Sequence, residues 1–321
     1  MDTAFINRKL YFLMNPKAGL GKMSEQWKDI CQKLNSLGVD YFWEFSQSGE
    51  DSSQQVRRAV LNQGAQVVVS LGGDGSLHDV VNGLIEKDQL LRPDIVLATY
   101  PAGSACDFSR LVYRNSRVDL VQLLQHGQVR DIDLGRCRYS GPDARPRTSY
   151  FINGFDAGAG ADTCIAVNEK EGRLKKLFGG KLAFLLTALG VLTKFSYTRS
   201  QIRFDGEQEE GEYLLMALGN GQYMGGSMKF FPSSRLDDGK LDLLLARKRN
   251  FLSILPLFVR LYQGKLEGIR GCLFRQVEQV QISCERPIPF ELDGEVPGFT
   301  DVELSILPAS LPFLFPRECY A

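Results

Sequence analysis

The stretch VVVSLGGDGSLHDVVNGL, residues 67–84, decides the fold of this chain. It begins with a short apolar run, passes through GGDGS, and continues with apolar residues at helical spacing. These residues are Leu77, Val80, Val81, Leu84 and Ile85. The apolar run predicts a buried strand over 66–71, and the spacing after it predicts an amphipathic helix. The stretch is therefore one unit of strand, loop and helix.

Similar units lie on both sides of this stretch. Residues 10–14 form an apolar run that leads into NPKAGLGK (15–22) and a helix from about Ser24, whose hydroxyl is an N-cap candidate. Residues 95–100 lead into PAGSACDFSR (101–110). A further half-buried strand is predicted from the alternation of Val39, Tyr41, Trp43 and Phe45. This alternation of strands and helices predicts a Rossmann-like α/β domain with a mostly parallel sheet.

The second half of the chain has a β-rich pattern. Asp-Gly pairs at 205–206, 238–239 and 293–294 predict hairpins, and residues 273–284 and 300–306 predict strands. Two helix candidates, 174–195 and 251–262, interrupt this pattern. We expect a first domain over 1–134, an antiparallel β-sandwich over 135–307, and a C-terminal stretch of about 308–321 that packs back on the first domain.

Length and composition exclude several classes of protein. A chain of 321 residues with 44% apolar and 24% charged residues predicts two folded domains rather than disorder. Lys and Arg (38) balance Asp and Glu (38), so no nucleic-acid partner is expected. Seven scattered cysteines without a CxxC pair indicate free thiols in a reducing compartment. We expect a cytoplasmic protein without a signal peptide, either soluble or peripheral at the inner membrane face.

The glycine-rich turns point to phosphate binding. Each of the three turns follows a predicted strand, so all three are expected at the carboxyl edge of the sheet. Glycine allows close backbone approach, and helix N-termini offer N–H groups to an anion. One such turn alone is better explained as a tight connection, and the combination of GGDGS with NPKAG reverses that preference. Asp74 in GGDGS opposes an anion unless it holds a metal ion, a water or a donor.

Six motifs resemble those of the diacylglycerol-kinase-like lipid kinases, a family that includes sphingosine, ceramide and bacterial lipid kinases. The motifs are NPKAG (15–19), GGDGSLHDVVNGL (72–84), PAGSACDFSR (101–110), FINGFDAGAGADTC (151–164), the block 220–245 and ELDGE (291–295). GGDG is shared with NAD kinases and phosphofructokinases, whereas the last two motifs are more specific. The resemblance implies a nucleotide-binding domain of that superfamily, followed by an acceptor domain that carries DGE.

The resemblance also implies ATP and Mg²⁺ at named residues. The nucleotide would contact Asn15, Pro16, Lys17, Gly19, Gly72, Gly73, Gly75, Ser76, Gly103, Ser104 and Asp107. Glu295 would be the catalytic base, and Asp74 would help to order magnesium and the phosphates. An ordinary Asp-Gly turn is the alternative for DGE. A structural magnesium would be held by Asp238 and a carbonyl near Lys240, and the further metal candidates are Asp237 and Asp293.

Two positions depart from the family pattern. Leu20 stands where a basic residue is frequent, and Cys106 stands where Asn is usual. A thiol near a helix N-terminus has a lowered pKa in many proteins, so we expect this for Cys106. His78 is expected to be a partly exposed helix residue, and His126 to be structural.

The acceptor is less well defined by the motifs. The resemblance implies a lipid alcohol such as diacylglycerol, with phosphatidic acid as product, but phosphatidylglycerol, ceramide and sphingoid bases stay open. The basic residues Lys170, Arg173, Lys175, Lys176 and Lys181 precede the apolar run 182–195. This segment is either a membrane-docking site or a core helix with a charged end, and 251–262 leaves the same choice. Two other functions stay open, a kinase for a soluble acceptor such as NAD and a non-catalytic sensor, and so does a homodimer.

Overall fold

The computed structural model describes residues 5–16, 18, 23–47, 49–103, 106–114, 118–169 and 180–317. These residues form two compact units. The first consists of the described parts of Met1–Ile132 and Ala309–Ala321, and the second is Asp133–Pro308. Within the described ranges, no helix is long and apolar enough to cross a membrane.

The first unit is built on parallel strands. Four strands lie side by side in the order β6, β3, β1, β2, and their bounds are β1 (Leu10–Met14), β2 (Tyr41–Phe45), β3 (Val67–Gly72) and β6 (Val96–Pro101). The last part of β17 (Val302–Phe315) pairs in parallel with β6. The described helices are α1 (Met23–Ser36), α2 (Gly49–Leu61), α3 (Asp74–Leu84), α4 (Asp107–Tyr113) and α5 (Leu120–His126). A 3-10 turn (Phe5–Asn7) and a small hairpin of β4 (Ile85–Glu86) and β5 (Gln89–Leu90) complete the list.

Burial explains why the alternation identified this sheet. Strands β1 and β3 are buried at every position, which is typical of parallel strands covered on both faces. The apolar face of α3 is buried as well, including Leu77, Val80, Val81 and Leu84. The predicted α/β architecture is confirmed. Helix α1 begins at Met23, so Ser24 lies in its first turn and the prediction of Ser24 as the N-cap was wrong.

Strand β2 differs from its prediction in orientation. It forms as expected, but it lies at the end of the strand order and pairs with β1. Trp43 and Phe45 are exposed instead of facing the core. Trp43 packs edge-on against Trp27 and Phe45, so an aromatic cluster replaces burial under a further strand.

The second unit is an antiparallel β structure. Its strands are β7 (Gln128–Ser140, which begins in the first unit), β8 (Pro146–Phe151), β9 (Gly154–Gly158), β10 (Arg199–Phe204), β11 (Glu207–Gly219), β12 (Leu241–Arg247), β13 (Cys272–Val277), β14 (Gln279–Cys284), β15 (Pro289–Leu292), β16 (Glu295–Phe299) and the first part of β17. The order is β16, β15, β9, β11, β10, β14, β17, with β12 beside β11 and β13 beside β12. The described helices are α6 (Ala159–Glu169), α7 (Gly180–Leu192) and α8 (Phe251–Gln263).

The core of this unit joins strands that lie far apart in sequence. Phe155 of β9, Ile202 of β10 and Leu243 of β12 lie in one buried cluster with Phe290 of β15 and Leu304 of β17. Phe155 and Phe290 stack with ring centroids 5.7 Å apart. The predicted β-sandwich is confirmed.

Two of the three predicted Asp-Gly hairpins form. Asp205-Gly206 joins β10 to β11 and Asp293-Gly294 joins β15 to β16, with positive φ at all four residues. Two consecutive positive φ values are the geometry for which Asp-Gly is favoured in a two-residue turn. The third prediction was wrong, because Asp238-Gly239 lies in a long connection that precedes β12.

Other differences have local causes. The predicted strand 273–284 is two strands, because the amides of Glu278 and Gln279 leave the ladder and donate to the carboxylate of Asp205. Helix α6 was missed because its glycine-rich start, AGAD, lacks a helical apolar pattern.

Candidate functional site

The three glycine-rich loops of the first unit meet at one edge of its sheet. Strands β1, β3 and β6 are parallel neighbours, so their carboxyl ends lie together. The amide of Asn15 donates to the carbonyl of Leu71 (2.9 Å). The amides of Ala102 and Gly103 donate to the carbonyl of Gly72 (2.9 and 3.2 Å). The predicted convergence of the loops is confirmed, and we call this edge the three-loop surface.

Glycine is required where these loops touch. A Cβ on Gly103 would lie 2.5 Å from the Cα of Gly73, and a Cβ on Gly72 would lie 2.3 Å from Ser76 Oγ. A side chain at Gly103 would push the second and third loops apart, and one at Gly72 would displace Ser76 within the second loop. Asn15 Nδ2 donates to Ser76 Oγ (3.1 Å), which links the first loop to the second. The surface therefore presents backbone groups that a ligand can approach closely.

Asp74 links the second and third loops. Its Oδ2 accepts the amide of Asp107 (2.9 Å), and its Oδ1 accepts the amide of Phe108 (3.1 Å). These are the first two amides of α4, so the carboxylate caps that helix from a distant part of the chain. A negative charge at a helix N-terminus is stabilised by the helix dipole. The acidic Asp74 is tolerated in the loop because two backbone amides donate to its carboxylate.

Helices α3 and α4 both begin at this surface, but only α4 is capped by a side chain. The first amides of α4 donate to Asp74. The N-cap of α3 is Gly73, which has no side-chain capping bond. The N-terminus of α3 is therefore the better anion-binding element of the surface.

Cys106 is a packed structural group. Its backbone is left-handed (φ 50°), its Sγ accepts the amide of Gly103 (3.2 Å) and it lies 3.7 Å from the carbonyl of Gly72. Burial, together with the charge of Asp74, raises the pKa of this thiol to about 12. The lowered pKa that we expected was wrong, because the thiol is buried and lies near the carboxylate of Asp74.

His78 also differs from its prediction. It is buried rather than partly exposed, and its Nε2 lies 3.3 Å from Asn82 Nδ2 on the same helix. This position favours a packing role.

In the second unit, Asp293 fixes the turn that precedes Glu295. Its carboxylate accepts the backbone amides of Ile152 (3.0 Å), Asn153 (2.9 Å) and Gly154 (3.0 Å). Asp293 is buried, whereas Glu295 is exposed at the start of β16. The geometry makes Asp293 an anchor for the hairpin, and its role as a metal ligand stays a prediction.

A buried pair of carboxyl groups lies behind the same hairpin. Asp156 of β9 and Glu291 of β15 are direct partners across the two strands, and both are buried. Burial raises the pKa of Asp156 to about 7, and burial together with the charge of Asp156 raises the pKa of Glu291 well above its ordinary value. The amide of Ala161 donates to Asp156 (2.9 Å) and stabilises its charge, so Glu291 is the group that keeps a proton.

This carboxyl pair ties the hairpin to α6. The amide of Gly294 donates to Glu291 (2.5 Å), and the thiol of Cys164 on α6 donates to the carbonyl of Gly294 (2.9 Å). A Cβ on Gly160 would lie 2.0 Å from Asp156 Oδ2, so the start of α6 lies directly on the pair.

The other side of α6 borders an apolar cavity. The cavity is enclosed by α6, α7, α8 and strands β11 and β12, and its walls include Thr163, Phe184, Leu214, Ile254 and Phe258. The hydroxyl of Thr163 donates to the carbonyl of Ala159 (2.6 Å), so the polar group in this wall already has a partner. The cavity has a volume of about 100 Å³, which suits a short hydrocarbon segment rather than a whole lipid tail.

Family models match both units. The diacylglycerol kinase catalytic domain matches residues 9–137, and the YegS C-terminal NAD kinase beta sandwich-like domain matches residues 156–315. The first unit therefore carries a diacylglycerol kinase catalytic domain. The protein is a kinase.

Curated relatives extend over nearly the full chain. The diacylglycerol kinase of Bacillus subtilis (strain 168) is 25% identical over 313 residues, 97% of each chain. That of Staphylococcus carnosus (strain TM300) is 26% identical over 294 residues, 91% of this chain and 90% of the relative. A crystal structure of a diacylglycerol kinase from Bacillus anthracis str. Sterne has a TM-score of 0.70 and 19% identity, and covers 97% of both chains. The structural likeness supports the fold.

The predicted site residues of this diacylglycerol-kinase-like chain lie in three places: on the three-loop surface, on a hairpin of the second unit, and outside the described residues. Asn15, Pro16, Gly72, Gly73, Gly75, Ser76, Gly103 and Asp107 lie in or beside the three-loop surface, with Asp74. Glu295 and Asp293 lie on the hairpin of the second unit. The positions outside the described residues are Lys17, Gly19, Leu20, Lys22, Ser104, Lys170, Arg173, Lys175 and Lys176, and the side chain of Lys181 lies outside them too.

The loop proposed for a structural magnesium is closed by protein contacts. Asp133 accepts the amide of Gly239 (2.7 Å), and Asp238 accepts the amide of Lys240 (3.1 Å). Asp237 pairs with Arg235 (3.2 Å). Among the described residues, no group of three or more His, Cys, Asp or Glu side chains is placed to hold a metal ion. A magnesium site of one or two protein oxygens plus waters stays a prediction.

Sequence reasoning missed Asp156 and Glu291. Both lie inside motifs of the resemblance, FINGFD and ELDGE, but the resemblance pointed only to Asp293 and Glu295. The available signal was an acidic residue within an otherwise apolar strand, which is unusual unless the acid has a buried partner.

Proposed function

We propose that this kinase transfers the γ-phosphoryl group of ATP to the hydroxyl group of a lipid alcohol such as diacylglycerol. The product would be a phosphorylated lipid such as phosphatidic acid. The proposal rests on the matches to the family models and on one structural observation, the apolar cavity of the second unit.

The cavity supports a lipid acceptor because of its position on α6. Thr163 lines the cavity, and the next residue, Cys164, contacts the turn before Glu295. A hydrocarbon segment in the cavity would therefore share one helix with the proposed base. A soluble acceptor such as NAD would leave apolar walls without a matching ligand surface.

The three-loop surface would bind the donor. The N-terminus of α3 and the close backbone at Gly73 and Gly103 suit the phosphates of ATP. Mg²⁺ bound with ATP would neutralise charge on the phosphates. Asp74, an acidic side chain of this surface, would contact that ion while its bonds to α4 keep it in place.

Glu295 would accept the proton of the lipid hydroxyl. The hydroxyl oxygen forms a bond to the γ-phosphorus, the bond between that phosphorus and the bridging oxygen to the β-phosphorus breaks, and ADP leaves with the electron pair. The hydroxyl proton moves to the Glu295 carboxylate. Three backbone amides donate hydrogen bonds to Asp293, and these bonds hold the turn that presents the Glu295 carboxylate.

A panel of acceptors tests the proposal. The purified protein, Mg²⁺ and γ-labelled ATP are incubated with micelles that contain diacylglycerol, phosphatidylglycerol, ceramide or a sphingoid base, and separately with NAD. We expect label in a lipid product. Label in NAD alone would make the protein a soluble-acceptor kinase, and no transfer to any acceptor by folded protein would contradict the proposal.

A cavity-filling variant tests the cavity as part of the acceptor site. Ala188 of α7 is buried in the cavity wall, so Ala188→Phe should fill it and lower kcat/KM for a long-chain acceptor at least tenfold, with KM for ATP unchanged. Leu186→Phe is the matched control, since Leu186 lies on the same helix and is exposed. Normal use of long-chain acceptors by Ala188→Phe would remove the cavity from the acceptor site.

A further inference from the structure

Helix α8 is apolar on two faces. Its inner residues Ile254 and Phe258 line the cavity. At 100° per residue, Leu252, Leu255, Val259 and Tyr262 fall within one arc of about 80° on another face. These four side chains are exposed, Leu252 at 78% and Val259 at 59%. We call these four residues the outer stripe.

The outer stripe is unusual for the surface of a soluble protein. Large apolar side chains are common there singly, but a contiguous row on one helix marks an interaction surface. Helix α7, which lines the same cavity, also exposes Leu186 and has no charged residue from Leu182 to Val191. Helices α7 and α8, two of the three helices around the cavity, are therefore apolar outside as well as inside, a pattern expected at an apolar environment.

Positive charge surrounds the outer stripe in sequence. The segment 248–270 contains five basic residues and a single acidic residue, Glu267. Arg260 lies on α8 itself, and Lys265 follows its C-terminal Gly264. Lys229 lies at the same end, because its Cδ is 3.1 Å from the position of a Cβ on Gly264.

We propose that the outer stripe of α8 docks on an anionic lipid bilayer. The proposal rests on the proposed function, because a lipid acceptor resides in a bilayer. Exposed apolar side chains beside an excess of cations match the apolar interior and anionic headgroups of such a surface. A second copy of this chain is a poorer partner, because a two-fold interface would place the same cations against each other.

This assignment selects between two segments of the chain. The basic cluster before 182–195 was one of two candidate docking segments in the sequence, with 251–262 as the other, and its side chains lie outside the described residues. Helix α8 offers a docking surface on described residues, and its inner face meets the proposed acceptor cavity. A lipid drawn from the bilayer would then reach the cavity along one helix.

Vesicle co-sedimentation without ATP tests the proposal. The probe is a unilamellar vesicle of phosphatidylglycerol and phosphatidylcholine in equal parts, at about 0.1 M salt, with pure phosphatidylcholine vesicles for comparison. Wild type should bind the anionic vesicles, more weakly as salt rises. The double variant Leu252→Glu with Val259→Glu should bind at least about 100-fold more weakly. Each substitution removes an apolar side chain whose burial contributes roughly tenfold to vesicle affinity, and each adds a negative charge that the anionic lipids repel.

Two further variants keep the test decisive. Leu37→Glu with Leu61→Glu is the matched control, because these leucines are similarly exposed (49% and 55%) but lie in the first unit, and it should bind as wild type does. Arg260→Glu with Lys265→Glu should lower binding to anionic vesicles and leave binding to phosphatidylcholine unchanged. Equal binding by wild type and the stripe variant, or no binding by wild type, would overturn the proposal. A wild-type dimer that the stripe variant dissociates would assign the stripe to a second copy instead.

The test is independent of the proposed function. Vesicle binding is measured without ATP or transfer, so it can fail while the kinase phosphorylates lipids. In detergent-dispersed, short-chain diacylglycerol the stripe variant should retain at least half of the wild-type turnover. Loss of turnover there, with normal vesicle binding, would contradict the separation of docking from chemistry.

Discussion

Replacing Glu291 with Gln tests the buried carboxyl pair behind the hairpin of β15 and β16. In the folded protein Glu291 keeps a proton that it shares with Asp156, and it accepts the amide of Gly294. Gln reproduces both interactions, because its NH₂ group donates to Asp156 and its oxygen accepts from Gly294. The substitution therefore keeps the contacts and removes the titrating proton.

The sign and size of the effect follow from the direction of the pKa shift. The pKa of Glu291 is higher in the folded than in the unfolded state, so the folded state binds the extra proton. The contribution of Glu291 to the free energy of unfolding is therefore greatest at low pH. It falls by about 1.4 kcal/mol per pH unit wherever the folded state holds one proton more than the unfolded state. Between pH 6 and 8 the free energy of unfolding of wild type should therefore fall relative to that of Glu291→Gln.

Urea unfolding at pH 6, 7 and 8 measures this difference. Far-UV circular dichroism follows the unfolding of both units, whereas the fluorescence of Trp27 and Trp43 reports the first unit alone and serves as an internal control. The charged groups that face the pair, Asp162 and Asp293, are unchanged in the variant. Buried thiols also add pH dependence near pH 8, but equally in both proteins. Parallel stability curves for wild type and Glu291→Gln would refute the assignment of a buried proton to Glu291.

The remaining predictions concern the three-loop surface. Gly103→Ala should lower the melting temperature and weaken ADP binding at least tenfold by calorimetry, because its Cβ meets Gly73, whereas Gly190→Ala, with no atom within 4 Å, should leave ADP binding unchanged. Asp74→Asn should cost about 1 kcal/mol of unfolding free energy, since α4 loses a charged cap, and should also slow turnover; unchanged values in both assays would contradict its role. Cys106, with a pKa of about 12, should stay unlabelled by a thiol reagent at pH 8 until the protein is unfolded, as peptide mass spectrometry would show, and fast labelling in the native state would contradict its packing.

The fold was predictable where one local pattern decided the structure. The run at 66–71 and the spacing from Leu77 to Ile85 each specify an element without help from distant residues, and β3 and α3 form as expected. Likewise Asp205-Gly206 and Asp293-Gly294 close hairpins, because the turn chemistry is contained in two residues.

The errors came from partners far away in sequence. The orientation of Trp43 depends on β2 lying at the end of the strand order, which no local pattern encodes. The break at Glu278 depends on the carboxylate of Asp205. Asp238-Gly239 has the turn signal but lacks flanking strands in register.

The candidate site divides in the same way. The glycines of the three-loop surface could be named from the sequence because their spacing follows predicted strands. The capping of α4 by Asp74 joins residues 33 positions apart, and the pairing of Asp156 with Glu291 needs the register of β9 and β15. Neither contact leaves a trace in composition or periodicity, so both required the structure.

The central claim is phosphoryl transfer to a lipid hydroxyl with Glu295 as the base, and the turnover of Glu295→Gln tests it most directly. In mixed micelles of diacylglycerol with labelled ATP and Mg²⁺, we predict that kcat falls at least about 100-fold, while KM for ATP changes little, because the base acts on the acceptor proton. The fold of the variant should be intact, since Glu295 is exposed and the turn is held by Asp293. Turnover of Glu295→Gln within a few-fold of wild type would contradict the account.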